Sequence, residues 1–214
     1  MPEDVKRDQR TQGGRGQART RLARRAVVAA ARTLFLERGY AATTIEAISH
    51  LADVPPATIY RLFASKLGIL DALINTSIAG DDQLLSIQER PDVASLFAEP
   101  DPNKLLTAFA GVTTEINQRT NDVYSVLVSA AGSDPAAAEL LNEIQRQRTR
   151  GQSHIAHALA RSSSLRKGLR KHDAVDLIHA FMSPEVYRLL VVDRSWPPEK
   201  YQHWLASTLI QQLT

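Results

Sequence analysis

The sequence predicts an all-α protein, with a small N-terminal group of three helices continued through a fourth into a larger helical bundle. Three observations predict it. Apolar residues recur at the helical period of 3.6. No stretch of useful length alternates as a half-buried strand would. Prolines stand where new helical patterns open, a position at which the missing N–H costs nothing. With 214 residues and 43% hydrophobic content, the chain can bury one core with an appendage, or two modest ones.

The first 20 residues, with Gly-Gly-Arg-Gly-Gln at 13–17, are too polar and Gly-rich to pack, and a disordered basic arm is expected over 1–20. Residues 1–25 carry eight Lys and Arg against three acids, while the remainder has 18 basic and 20 acidic side chains, so a net charge of +3 hides one strongly positive end. From Arg21 the pattern turns helical, with Val27, Ala31, Leu34 and Phe35 on one face and Gly39 as the stop. Thr43 and Glu46 have capping-box spacing for a second helix, whose apolar face is Ile45, Ile48 and Ala52. Pro55 or Pro56 opens a third, which turns Ile59 inward and closes on Phe63. Ser65 caps a fourth, and its Leu70, Leu73 and Ile74 face back toward the first three.

Further on, Pro102 opens a helix with the stripe Leu105, Phe109, Val112 and Ile116, and residues 119–122 read as a break. The segment 123–131 is apolar nearly all round and is expected to be buried, with Gly132 ending it. A long helix follows from 135 to about Arg161, then a polar loop, then helical segments over 174–193, interrupted by Pro184, and 198–213.

Nothing in the chain specifies an enzyme: it lacks a Gly-rich phosphate loop, a G-x-S-x-G elbow and an H-E-x-x-H pair, and no motif calls for a cofactor. Without cysteine there is no disulfide framework and no thiolate metal site. His154 and His157 stand at i, i+3 without an acidic third ligand nearby, and read as ordinary surface or hydrogen-bonded histidines; no metal is expected. No apolar run approaches the roughly 18 residues of a membrane span, and the polar, basic N-terminus lacks the apolar stretch of a signal peptide. No membrane partner is expected, and the cytoplasm is the expected compartment.

The run 26–74 resembles the DNA-binding domain of the TetR family of one-component bacterial transcriptional regulators. The resemblance rests on Leu34-Phe35, Gly39-Tyr40, Thr43-Thr44, Ile48, Val54, Thr58-Ile59-Tyr60, Phe63 and Ser65-Lys66. It implies a helix-turn-helix domain over 21–66, whose helix at 55–61 enters the major groove, and a helical ligand-binding and dimerisation domain over 67–214. It also implies a homodimer on a double-stranded DNA operator and a small-molecule effector. Tyr60 and Lys66 match the family's phosphate-contacting pair, and Thr44 is either a third contact or a plain cap. Base reading then falls to Pro56, Ala57, Thr58 and Arg61: Ala and Thr suit a thymine methyl, while Arg suits guanine or a phosphate. Arg19 and Arg21, with Arg15, precede the first helix as a minor-groove arm would.

Three positions depart from the family pattern: Asp53 in place of the turn glycine, Pro55 in place of a capping serine, and Leu67-Gly68 where Glu often follows Ser-Lys. In the family the last two long helices form the dimer interface. Leu177, Ile178, Phe181, Leu190, Trp204, Leu205 and Leu209 suit that role or an intramolecular core. In the helix at 135–161, Arg148 and Gly151 interrupt the face made by Leu140, Leu141, Ile144, Ile155 and Leu159. Arg148 therefore either projects into an effector cavity, with Phe109, Thr113 and Tyr124 as walls, or reaches water or a carboxylate across the bundle or dimer. Two functions are compatible with all of this: a ligand-responsive repressor, or a dimeric DNA-binding module without an inducer.

Overall fold

A computed structural model describes residues 4–80 and 91–214, and these form ten α-helices and no strand. The chain divides into two compact units, Met1–Leu73 and Ile74–Thr214. In the first, α1 (Asp4–Ala42) is broken at Gly39, whose φ of 78° lies in the region that favours glycine, so the expected stop is where the helix proper ends. The arm differs from expectation: the chain is helical from Asp4 onward, while residues 1–3 lie outside the described ones. Arg, Gln and Ala between 15 and 25 are strong helix formers. Local propensity there outweighs the missing apolar face.

Helices α2 (Ile45–Ala52), α3 (Pro56–Phe63) and α4 (Lys66–Ala79) follow. Val27, Ala31, Leu34 and Phe35 of α1 are buried with Ile45, Ile48, Ile59, Phe63, Leu70 and Leu73, so the apolar faces read from sequence make up the core of this unit. The α2 cap is corrected by one residue. Thr44, not Thr43, is the N-cap and accepts from the Ala47 amide at 3.1 Å, so Glu46 is not at the third helical position. Thr43 is fully buried, and its hydroxyl donates to the carbonyls of Leu34 (3.2 Å) and Gly39 (2.8 Å), the exposed end of α1. Asp53 ends α2 in the left-handed region (φ 51°, ψ 42°), donating its amide to the Ser49 carbonyl, so aspartate serves where glycine would be freer.

The second unit contains α5 (Pro91–Leu96), α6 (Pro102–Ala131), α7 (Pro135–Arg161), α8 (Lys171–Phe181), α9 (Pro184–Tyr187), a π-helical turn (Arg188–Asp193) and α10 (Pro198–Leu213). Asp101 and Asp134 cap α6 and α7, each accepting two amides from the first turn, with proline at the first helical position as expected. The break at 119–122 does not exist, because α6 runs through it. The Thr120 hydroxyl donates back to the Ile116 carbonyl at 2.8 Å, and the Arg119 guanidinium donates to the carbonyls of Ser77 and Ile78, both at 3.2 Å, in the last turn of α4. Arg119 is thus used by a tertiary contact and Thr120 by the carbonyl of its own helix, rather than by a turn. Nor is 123–131 buried all round: Val123, Tyr124, Leu127 and Ala130 face inward, while Val128 is exposed. Pro184 does interrupt its segment, with the Ser183 hydroxyl accepting from the Val186 amide at 3.1 Å to restart the helix.

Three of the residues read as possible dimer contacts are core. Ile178, Leu205 and Leu209 are each 0% exposed within one chain, packed with Leu106, Leu159 and Tyr201. Leu177, Phe181, Leu190 and Trp204 lie at the margin of that core, half-buried. No single helix among the described residues is long and apolar enough to cross a membrane.

Candidate functional site

On α3 the inward residues Ile59 and Phe63 leave Pro56, Ala57, Tyr60 and Arg61 exposed on one face, with Thr58 half-buried beside them. Pro55 caps the helix without a side-chain acceptor, as its chemistry requires, and the amides of Thr58 and Ile59 bond its carbonyl at 2.9 and 3.1 Å. Tyr60 is 50% exposed on that face. Thr44 is exposed at the start of α2, although its hydroxyl already caps that helix. Arg19 and Arg21 are exposed along α1.

Lys66 is placed differently from a free phosphate ligand. Its ammonium donates to the carbonyls of Tyr40 (2.7 Å), Thr43 (2.7 Å) and Ala41 (3.4 Å), and lies 4.3 Å from the centre of the Tyr40 ring. These carbonyls lie in the stretch between the break of α1 at Gly39 and the start of α2, so Lys66 ties α4 to the α1–α2 junction. Arg24, which the sequence did not single out, does the same for α3. It donates to the Leu62 carbonyl at 2.8 Å, with its guanidinium 4.5 Å above the Phe63 ring. Two cations thereby brace the short helices, and the pairing is invisible locally because their partners lie 38 and about 25 residues away. Ser65 caps α4 as expected by accepting from the Gly68 amide at 3.0 Å.

The second unit carries an unusual polar interior. Thr113, Asn117, Thr120 and Tyr124 of α6 fall at i, i+4, i+7 and i+11 and are all buried, together with Gln152 of α7. The Tyr124 hydroxyl donates to Glu185 Oε1 at 3.0 Å, and burial raises its pKa. Arg148 is largely enclosed. One terminal nitrogen donates to the His179 carbonyl at 3.1 Å and lies 3.3 Å from its Nε2, and burial lowers the guanidinium pKa. His179 Nδ1 lies 2.9 Å from Gln152 Oε1, so the neutral ring donates there and presents its other nitrogen to Arg148; burial, then Arg148, holds its pKa below the ordinary value. Of the expected pocket walls, Phe109, Thr113 and Tyr124 are all buried, and Tyr124 and Arg148 are electrostatic neighbours. Sequence reading missed Asn117, Tyr201 and His179, whose polarity on inward faces at helical spacing was the available signal. His154 and His157 are ring neighbours at 6.4 Å, and no cluster of metal-ligating side chains occurs among the described residues.

Comparison with known proteins bears on the first unit most directly. Residues 27–73 match the family model described as bacterial regulatory proteins, tetR family. A curated relative, the uncharacterized HTH-type transcriptional regulator YdeS of Bacillus subtilis (strain 168), is 27% identical over 183 residues, covering 84% of each chain. Among solved structures, native NalD, the secondary repressor of the MexAB-OprM multidrug efflux pump in Pseudomonas aeruginosa, superposes with a TM-score of 0.70 at 18% identity, covering 91% of this chain and 98% of that one. The transcriptional regulator FadR of Bacillus subtilis, in complex with stearoyl-CoA, gives a TM-score of 0.66 at 18% identity, covering 88% and 98%. At such identities the structural likeness concerns the fold.

Proposed function

We propose that this chain, which belongs to the TetR family of transcriptional regulators, is a ligand-responsive repressor: a homodimer that binds a near-palindromic operator through α3 and releases it when a small molecule enters the second unit. The observation that carries the DNA reading is the exposed face of α3. Pro56, Ala57, Tyr60 and Arg61 make no inward packing, while the helix beneath them is held by Ile59, Phe63 and the Arg24 clamp. In this reading Tyr60 donates to a phosphate, Arg61 meets a base edge or a phosphate, and Ala57 and Thr58 meet thymine methyl groups. Lys66 reaches a phosphate only by exchanging a helix carbonyl for it. Arg19 and Arg21 supply positive charge beside the groove. The buried polar interior, and the acyl-CoA complex of a protein of the same fold, support a response to a ligand.

Selection from random duplexes followed by gel-shift titration tests the reading. The expected outcome is a preferred site with two half-sites whose centres lie about 34–36 Å apart or a multiple of that. Tyr60→Phe should weaken all duplexes alike, whereas Arg61→Ala should change base preference if Arg61 reads a base. Equal weak affinity for every duplex would sink the proposal. Operator binding that no small molecule relieves would leave a dimeric DNA-binding module without an inducer.

A further inference from the structure

Three hydrogen-bond donors inside the second unit have no acceptor within hydrogen-bond distance among the described residues: Asn117 Nδ2, Arg148 Nε and the Tyr201 hydroxyl. They come from three different helices, α6, α7 and α10. Asn117 is 4% exposed and Tyr201 0%. Native interiors pair nearly all such groups, so each of the three calls for an acceptor. They also feel one another. The Tyr201 phenol is pushed well up by burial, and the shift is opposed first by the Asn117 side chain, a hydrogen-bonding neighbour of the phenol, and then by the charge of Arg148. Arg148 in turn has the Tyr124 side chain as a hydrogen-bonding neighbour and feels the charges of Glu185 and Tyr201.

The neighbours of these donors are already engaged. On the α6 stripe, Thr120 is spent on Ile116 and Tyr124 on Glu185, which leaves Asn117 as the amide facing the interior. The Arg148 terminal nitrogen is held at His179, orienting the guanidinium, and no carboxylate lies within ion-pair distance of Arg148 among the described residues. A largely buried permanent cation with no carboxylate at ion-pair distance, beside two neutral donors, favours an anionic acceptor over a neutral one. Two to three turns from Asn117 toward the N-terminus of α6 the inward side is apolar, with Leu106, Phe109 and Ala110 in the same core as Ile155 and Leu159 of α7.

We infer that Asn117, Arg148 and Tyr201 are the anchoring site of the effector, and that the effector is a carboxylate with an apolar body. The inference rests on the ligand-responsive reading above and adds the ligand's chemical class. The carboxylate oxygens accept from Arg148 Nε, the Asn117 amide and the Tyr201 hydroxyl, while the body lies against Phe109 and its apolar neighbours.

The test uses the full-length protein and a series of straight-chain carboxylates from butyrate to palmitate, each with its methyl ester, followed by calorimetric titration and by operator release in a gel shift. At least one carboxylate should bind saturably, with its methyl ester at least tenfold weaker. Tyr201→Phe and Asn117→Leu should each weaken that carboxylate by roughly tenfold, the loss of one hydrogen bond to a charged group. Arg148→Met should remove the preference for acid over ester. Operator affinity without ligand should stay within about twofold in all three, and circular dichroism melting checks their folding; Tyr201→Phe keeps the shape of the side chain. No binding by any carboxylate, equal binding of acid and ester, or affinities unmoved by the three substitutions would overturn the inference. Release of the operator by a neutral compound alone would overturn it while the repressor reading stands, and failure to bind any operator would remove that reading whatever the carboxylates do.

Discussion

Lys66 shows how one side chain can be recognised in sequence while its packing role stays hidden. Its motif points to phosphate, yet its three N–H groups are directed at the carbonyls of Tyr40, Ala41 and Thr43. Lys66→Ala should therefore lower the stability of the first unit by about 2 kcal/mol, the range for hydrogen bonds to a charged group, as read by urea unfolding. A substitution that weakened DNA binding with stability unchanged would restore the simple phosphate role. His179 makes a second prediction. Burial and the nearby Arg148 depress its pKa below 6.5, with Asp176 and Glu185 opposing, and Thr149 and Gln152 as hydrogen-bonding neighbours. As pH falls through 6.5 the unfolded chain takes up this proton before the folded one does, so the His179 contribution to stability is present above 6.5 and declines until the folded pKa is reached. The melting temperature should drop on acidification from pH 7.5 to 5.5, and His179→Gln should flatten part of that drop.

At the level of elements, the junction of α3 and α4 is tighter than its sequence implies. A Cβ built at Gly68 collides with the Phe63 carbonyl oxygen, a backbone atom that cannot move aside cheaply, while the Gly68 amide is held by Ser65. Gly68→Ala should cost about 1–3 kcal/mol in spite of alanine's better helix propensity, because overpacking against backbone exceeds the propensity gain of about 1 kcal/mol. A thermal melt at or above wild type would refute the steric account. Helix starts were legible wherever proline and an aspartate or serine coincide, as at Asp101-Pro102 and Asp134-Pro135. The Thr43 cap and the break at 119–122 were misread for a common reason: threonine and arginine hydroxyl or guanidinium groups were assigned to local turns, but long-range carbonyls claim them.

At the level of the whole molecule, the proposed dimer has a testable surface. With Ile178, Leu205 and Leu209 committed to the core, the two most exposed large apolar residues of the second unit are Leu189 (54%) and Val192 (50%), in the same segment as half-buried Leu190. Leu189→Glu with Val192→Glu should shift the protein toward monomer in analytical ultracentrifugation while its helical content is kept; an unchanged sedimentation coefficient would put the interface elsewhere. The N-terminal segment offers a second test. Deleting residues 1–18 removes Arg15 and the charges before it, and should reduce DNA affinity more at low salt than at high salt. A loss equal at all salt concentrations would indicate damage to folding.

Sequence alone determined the all-α class, the order of the principal helices and the face of α3 turned away from the core, because helical periodicity, proline and capping residues act over a few positions and are written locally. It also singled out Arg148, since one charge on an apolar face is a local irregularity. Tertiary structure decided which polar groups are spent and which are not. Lys66 and Arg24 find backbone carbonyls of distant helices, whereas Asn117, Arg148 and Tyr201 converge from α6, α7 and α10 with donors unpaired among the described residues. Hydrogen-bond satisfaction depends on atoms far apart in the chain, so no local pattern encodes it.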